Sequence, residues 1–150
     1  MDRSSELVWF QRVCRVFACV PLLLGTTIAL TGSAGLAVVF GLSLGKLDPS
    51  LESAVRFLAA NFAGMGLVLL WGTGDVLGRS AVLRICFGAM LAGAAVRLMA
   101  IGLHGTPSLM TVLVIGGELT AGPLLIWHAR LLRQLRQADE PQADAHSRQS

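Results

Sequence analysis

Two ionisable residues lie inside apolar stretches of the sequence, where a charge has a large energetic consequence. Arg97 falls within the span predicted for residues 81–103, and Glu118 within the span predicted for residues 109–132. A charge at mid-membrane costs roughly 3 kcal/mol on insertion scales, so it usually has a partner or a wet cavity. The short turn at residues 104–108 makes the two spans antiparallel neighbours and places both residues at similar depth. The sequence therefore predicts an Arg97–Glu118 ion pair.

Two further polar residues extend this prediction to a cluster. Asn61 lies at a similar depth in the preceding span, and Arg56 lies above it, near the outer headgroups. Arg56, Asn61, Arg97 and Glu118 are together predicted to form a polar cluster in the outer half of the bundle. It is either a structural salt bridge that fixes helix packing or a cavity with a positive excess, suited to an anionic or polar headgroup or a small carboxylate.

A catalytic site is a third interpretation of the cluster, with Glu118 as a general base. No nucleophile, metal-ligand set or second carboxylate joins it, so we expect no enzyme and no catalytic residue. The three histidines are too far apart along the chain to ligate together, and the cysteines form no CxxC pair. No nucleotide-binding motif is present. We therefore expect no metal and no cofactor.

The composition predicts the kind of fold that positions these residues. Hydrophobic residues make up 54% of the chain and charged residues 14%, with a mean hydropathy of +0.68. A soluble domain has about a quarter charged residues, so too few polar residues remain here for a water-facing surface. The sequence predicts an all-α integral membrane protein, a bundle of four transmembrane helices with lipid around it. The predicted spans are residues 12–30, 54–71, 81–103 and 109–132.

The first span is followed by an additional apolar segment. The thirty uncharged residues between Arg15 and Lys46 would form a helix of about 45 Å, against a hydrocarbon core of about 30 Å. Residues 31–35 contain two glycines and two hydroxyl residues and are the predicted break. Residues 36–44 then lie at the outer interface or fold back along the bundle. A single long tilted helix is the alternative.

The distribution of basic residues predicts the topology. Nine Lys and Arg residues fall on one side of the four spans and only Lys46 and Arg56 on the other. Basic residues are concentrated in cytoplasmic segments, so both termini are predicted to be cytoplasmic. Residues 1–136 form the predicted four-helix domain, and residues 137–150 a disordered cytoplasmic tail. The net charge of +3 reflects this topology, and no nucleic-acid partner is expected.

Small residues recur at a spacing of four, which brings them onto one helix face. Such faces allow close helix packing in lipid, either inside the bundle or against a partner or a second copy of the chain. Pro123 leaves the Leu119 carbonyl without a donor and predicts a kink in the last span. The predicted packing residues are Gly64, Gly88, Gly93, Gly117 and Pro123, with the pairs Ala60–Gly64, Gly88–Ala92, Ala89–Gly93 and Gly117–Ala121.

Three segments also resemble a known family. They are VRFLAANFAGMGLVLLW (55–71), GAAVRLMAIGLHGTP (93–107) and ELTAGPLLIWHARL (118–131). They resemble the small bacterial four-helix membrane proteins catalogued as domain of unknown function four-three-four-five. The matching positions are Arg56, Gly93, Arg97, Gly105, Pro107, Glu118, Leu119 and Pro123. The resemblance implies four helices and an Arg97–Glu118 pair, and it adds no reaction. The predicted location is the bacterial inner membrane, with the chain crossing it several times.

Two function classes remain. The first is an accessory or scaffold subunit that binds another membrane protein, because small-residue faces are present and no catalytic set is complete. The alternative is a membrane-embedded binder or carrier of a lipid or other amphiphilic small molecule, which would use the Arg/Glu polar cluster. The expected partners are membrane lipids and either a membrane protein or a second copy of the chain.

Overall fold

The computed structural model describes residues 3–45 and 47–147, and within these ranges it contains helices and no strand. The six helices are α1 (Arg3–Thr31), α2 (Ser33–Phe40), α3 (Pro49–Gly72), α4 (Ser80–His104), α5 (Leu109–Leu119) and α6 (Ala121–Ser147).

In the part of the chain that the structure describes, four helical stretches are long and apolar enough to cross a membrane. They are Ser4–Thr31, Pro49–Gly72, Ser80–His104 and Leu109–Leu135, the last formed by α5 and the first half of α6. Many large apolar side chains point away from the bundle; Leu30, for example, is 74% exposed. This exterior is suited to lipid, as the composition predicts. α6 continues to Ser147, into the segment assigned to a disordered tail, whose lack of order stays a prediction.

The closest helix contact joins α1 and α3. A Cβ added to Gly25 would lie 2.5 Å from the Ala63 backbone nitrogen, and one added to Gly66 would lie 2.7 Å from the Leu22 nitrogen. The earlier residue of α1 meets the later residue of α3, so the two helices are antiparallel. Only glycine permits this backbone approach, which supplies the van der Waals contact that holds helices together in lipid.

The helical structure is interrupted after α1, within the break predicted at residues 31–35. Gly32 has a φ of +66°, in the left-handed region that favours glycine, and it separates α1 from α2. α2 folds back and contacts α1, α3 and α5. The expected arrangement in which this segment folds back along the bundle is therefore confirmed, and the alternative of a single long tilted helix is wrong.

Local signals define the other helix boundaries. Asp48 is the N-cap of α3 and accepts hydrogen bonds from the Ser50 and Leu51 amides, with Pro49 in the first turn. Between α5 and α6 the helix is interrupted at Thr120, three residues before Pro123, where the proline cannot donate. The interruption lies where the kink is predicted, and the bend itself stays a prediction.

The buried core is concentrated at one end of the bundle. This end contains the start of α1, the end of α3, the start of α4 and α6. Its largest fully buried apolar side chains are Phe10, Leu69, Leu83, Phe87 and Leu131. The opposite half, where α2 and α5 lie, contains fewer buried apolar residues. The bundle is thus densely packed at one end and more open at the other.

The close α1–α3 contact predicts a sharp difference between two glycines of α3. Gly66→Ala places a methyl group against the α1 backbone and should lower the free energy of unfolding by about 1–3 kcal/mol, the usual cost of overpacking. Gly64→Ala is the matched control, because its added Cβ meets nothing within 4 Å. Unfolding in mixed micelles measures both. Equal effects would contradict the assigned helix contact.

A paired charge beside two apolar cavities

Arg97 and Glu118 form the predicted ion pair between α4 and α5. Arg97 Nε lies 3.2 Å from Glu118 Oε1. The Glu118 side chain is 6% exposed and that of Arg97 is 40% exposed. The carboxylate is therefore enclosed by the bundle, whereas part of the guanidinium group stays accessible.

Gly93 makes room for this pair. It lies one helical turn before Arg97 on α4, and a Cβ added to it would lie 3.8 Å from Glu118 Oε2. The Glu118 carboxyl thus packs over the open surface that Gly93 leaves. Oε2 itself is buried without a hydrogen-bond partner among the described residues. A buried carboxylate oxygen in this state has unused capacity to accept a hydrogen bond.

Two adjoining cavities lie between the α1–α3 pair and helices α4 and α5. The larger has a volume of about 420 Å³ and the smaller about 270 Å³. They share the lining residues Leu24, Phe62 and Val114 and are therefore direct neighbours. The larger volume falls in the range of small-molecule pockets, roughly 300–1,000 Å³.

The cavity walls are apolar except near the ion pair. α2 contributes Leu36 and Phe40 to the larger cavity, whose polar lining residues are Arg97 and Thr111. The smaller cavity includes Glu118 in its wall. An apolar space that ends at a few convergent polar groups is the usual form of a binding site for a small amphiphilic molecule.

Arg56 has a different role from the one predicted. Its Nη1 donates to the carbonyls of Ala29 (3.1 Å) and Leu30 (2.7 Å), and its Nε lies 3.0 Å from Glu52 Oε1. Glu52 in turn accepts a hydrogen bond from the Ser33 amide. The guanidinium therefore caps the last carbonyls of α1, and the carboxylate caps the first amide of α2, each at the helix end whose partial charge it complements.

The structure thus divides the predicted polar cluster. Arg97 and Glu118 are paired, Arg56 bonds to Glu52 at the break after α1, and Asn61 donates to the Phe57 carbonyl of its own helix. The positive excess expected for the cavity depended on Arg56. Since Glu52 balances Arg56 elsewhere, the cavity walls carry one positive and one negative group.

The predicted packing glycines divide in the same way. Gly93 faces Glu118, but a Cβ added to Gly64, Gly88 or Gly117 would meet nothing within 4 Å. These three do not mediate close packing within the described chain. The close contacts use Gly25 and Gly66 instead.

Several functional contacts lay outside the sequence prediction. Glu52 precedes Arg56 by four residues, and this spacing is the sequence signal of an ion pair along a helix. At the packed end, Trp127 Nε1 donates to Glu6 Oε1 over 3.0 Å. His128 there is fully buried and stacks on Phe10, with ring centroids 5.7 Å apart. No local pattern indicates that His128 is enclosed.

These features define the class: a small α-helical protein with four membrane-length helices and a charge pair beside an apolar cavity. The chain belongs to the family described as a domain of unknown function, DUF4345, whose model matches residues 9–129. The match includes the first helix, which the three resembling segments did not cover. No curated protein and no solved structure matches the chain.

The ion pair predicts strong energetic coupling between its two residues. Arg97→Met should lower the free energy of unfolding by about 1–3 kcal/mol, less than for a fully buried pair because Arg97 is part exposed. Replacing both residues by Met should cost clearly less than the sum of the single changes, because no unpaired charge remains. A double-mutant cycle in micelles measures this coupling. Additive effects would contradict a functional pairing of the two charges.

Proposed function

We propose that the protein binds an amphiphilic small molecule inside the membrane. The observation that carries this proposal is the continuity of two apolar cavities with the Arg97–Glu118 pair. The apolar walls suit an acyl or isoprenoid chain, and the charge pair suits a polar headgroup.

The packing supports the proposal from a second direction. The end of the bundle that contains Phe10 and Phe87 is densely packed, so the chain is able to build a tight core. The space beside Arg97 is bounded by large side chains such as Phe40 and Phe62, and it remains open nonetheless. Close packing is the normal state of a protein interior, and departures from it are frequently binding sites.

α2 gives this site its outer wall. Leu36 and Phe40 of α2 line the larger cavity, and the Glu52–Arg56 pair holds the α1–α2 break in place. The path of the chain after Gly32 therefore shapes the cavity.

A second candidate function is that of a subunit that packs against another membrane helix. It is favoured by the outward face of α4, where Gly88, Ala92 and Ala95 are exposed and the space around Gly88 is open. Small residues on a lipid-facing surface allow a second helix to approach closely. The two functions are compatible, because this face lies outside the cavities.

The proposed location is the inner membrane of a bacterial cell, with both termini in the cytoplasm. Four membrane-length helices return the chain to the side where it began. Nine of the basic residues fall at that side under this topology. The positive-inside distribution supports the orientation.

Filling the shared wall of the two cavities should abolish ligand binding. Val114→Trp adds a large ring to the surface that both cavities share, so a co-purifying amphiphile should be lost. Val112→Trp is the matched control, because Val112 is 48% exposed and lines neither cavity. Native mass spectrometry of the protein released from its own membrane measures retention. Retention by the Val114 variant, or no retained amphiphile in the wild type, would contradict the proposal.

The second candidate predicts a different sensitivity. Gly88→Leu should weaken association with a second helix about tenfold or more, because it blocks close backbone approach. Val16→Leu, a change to the same residue at a 72% exposed position of α1, should have no effect. Cross-linking in the native membrane gives the fraction of associated protein. Equal association of both variants would exclude this face of α4.

A further inference from the structure

The charge balance of the cavity walls restricts what kind of headgroup fits them. Among the described residues that line the two cavities, Arg97 and Glu118 are the ionisable ones, and they pair with each other. Arg56, whose charge would have given the site a positive excess, is balanced by Glu52 and bonded to two carbonyls of α1. The site is therefore neutral as a whole.

A charged headgroup would leave this neutral site with one charge unbalanced. Such a charge is costly within the membrane, and a partner is needed to offset it. An anionic headgroup would have to compete with Glu118 for Arg97. A cationic one would have to compete with Arg97 for Glu118. A neutral headgroup avoids both competitions.

The hydrogen-bonding capacity that the pair leaves unused defines the headgroup further. A guanidinium has five N–H donors, and Arg97 uses its Nε on Glu118 while part of the group stays exposed at the larger cavity. On the other side, Glu118 Oε2 has no hydrogen-bond partner among the described residues. Arg97 thus offers donors, and Glu118 offers an acceptor.

Both groups are within reach of one ligand. The cavities share walls, with Arg97 at the larger and Glu118 at the smaller. The last side-chain torsion of a glutamate is broad, so a partial rotation at small cost can turn Oε2 towards a donor in the smaller cavity, which Glu118 lines. A donor in the smaller cavity can therefore bind one oxygen while Arg97 holds the other. The Thr111 hydroxyl adds a further polar group at the larger cavity.

We infer that the ligand is an electrically neutral amphiphile whose headgroup combines a hydrogen-bond acceptor for Arg97 with a hydroxyl or amide donor for Glu118. This inference rests on the proposed function, since it specifies the ligand class of the same site. It separates neutral acylglycerol-like or hydroxylated amphiphiles from anionic lipids. Arg97 acts here as one half of a neutral pair and not as an anion-binding residue.

The test compares three probes that share one chain and one photoactivatable group. They are a monoacylglycerol, which is neutral with donor and acceptor, the methyl ester, which has the acceptor alone, and an alkyl sulfonate, which is anionic. Labelling of the full-length protein in nanodiscs of zwitterionic lipid gives their relative affinities. The monoacylglycerol should bind about tenfold more tightly than the sulfonate, given the cost of a third charge. The methyl ester should fall between them.

Glu118→Gln provides a stronger test, because it leaves Arg97 as an unbalanced cation. The order of the probes should reverse, with the sulfonate bound more tightly than the monoacylglycerol. A purely structural role of the pair would weaken all three probes together and would overturn the inference. If the variant does not fold, the order of the three probes on the wild-type protein decides.

The outcomes also separate this inference from the function on which it rests. If the sulfonate binds best to the wild type and Val114→Trp abolishes its labelling, the cavity binds an amphiphile and the neutral-headgroup inference alone is overturned. If Val114→Trp leaves the labelling by all three probes unchanged, the proposed binding function fails and the inference fails with it.

Discussion

The backbone approach of α1 and α3 is the contact on which the rest of the bundle depends. Gly25 lies against Ala59 and Ala63, and Gly66 lies against Ala18 and Leu22, at distances that exclude any side chain on either glycine. In lipid no hydrophobic force drives helices together, so contact of this kind must supply the attraction. With α1 and α3 held together, the remaining helices complete the bundle against a rigid pair. They do so densely at the end where α6 and the start of α4 pack, and loosely where α2 and α5 lie.

The loosely packed half contains two separate ion pairs. Glu52 and Arg56 complete the hydrogen bonding of a helix break, which a membrane protein has to satisfy internally. Arg97 and Glu118 balance each other at the wall of the cavities. Because Arg56 is paired with Glu52, it adds no positive charge to the Arg97–Glu118 pair, which is neutral. This division connects the break after α1, a structural feature, to the charge balance of the cavity walls.

Sequence reasoning succeeded where one local rule fixes the geometry. The tight turn after His104 sets the relative depth of Arg97 and Glu118, so the pair was predictable from helical rise alone. The break near Gly32 and the interruption before Pro123 follow from residue chemistry in the same way.

The other contacts of the site depend on the direction in which each side chain points around its helix axis. The depth of a residue in the membrane does not determine that direction. Asn61 was grouped with Arg97 by its depth, and Arg56 by its position just above Asn61, although the three side chains bond to different partners. Spacing likewise indicated that Gly88 lies on a small-residue face, but not that this face points away from the bundle. The cavities result from side-chain volumes summed over five helices, and no segment of the sequence contains that information.

The central claim is that the space beside the Arg97–Glu118 pair receives an amphiphile in the membrane. The most direct measurement is an experimental structure of the protein in nanodiscs formed from its native lipids. The account predicts elongated density between α1, α2, α3 and α5 that ends within hydrogen-bonding distance of Arg97 or Glu118. A collapsed space, with Phe62 and Val114 packed against each other and no density beside the ion pair, would contradict it.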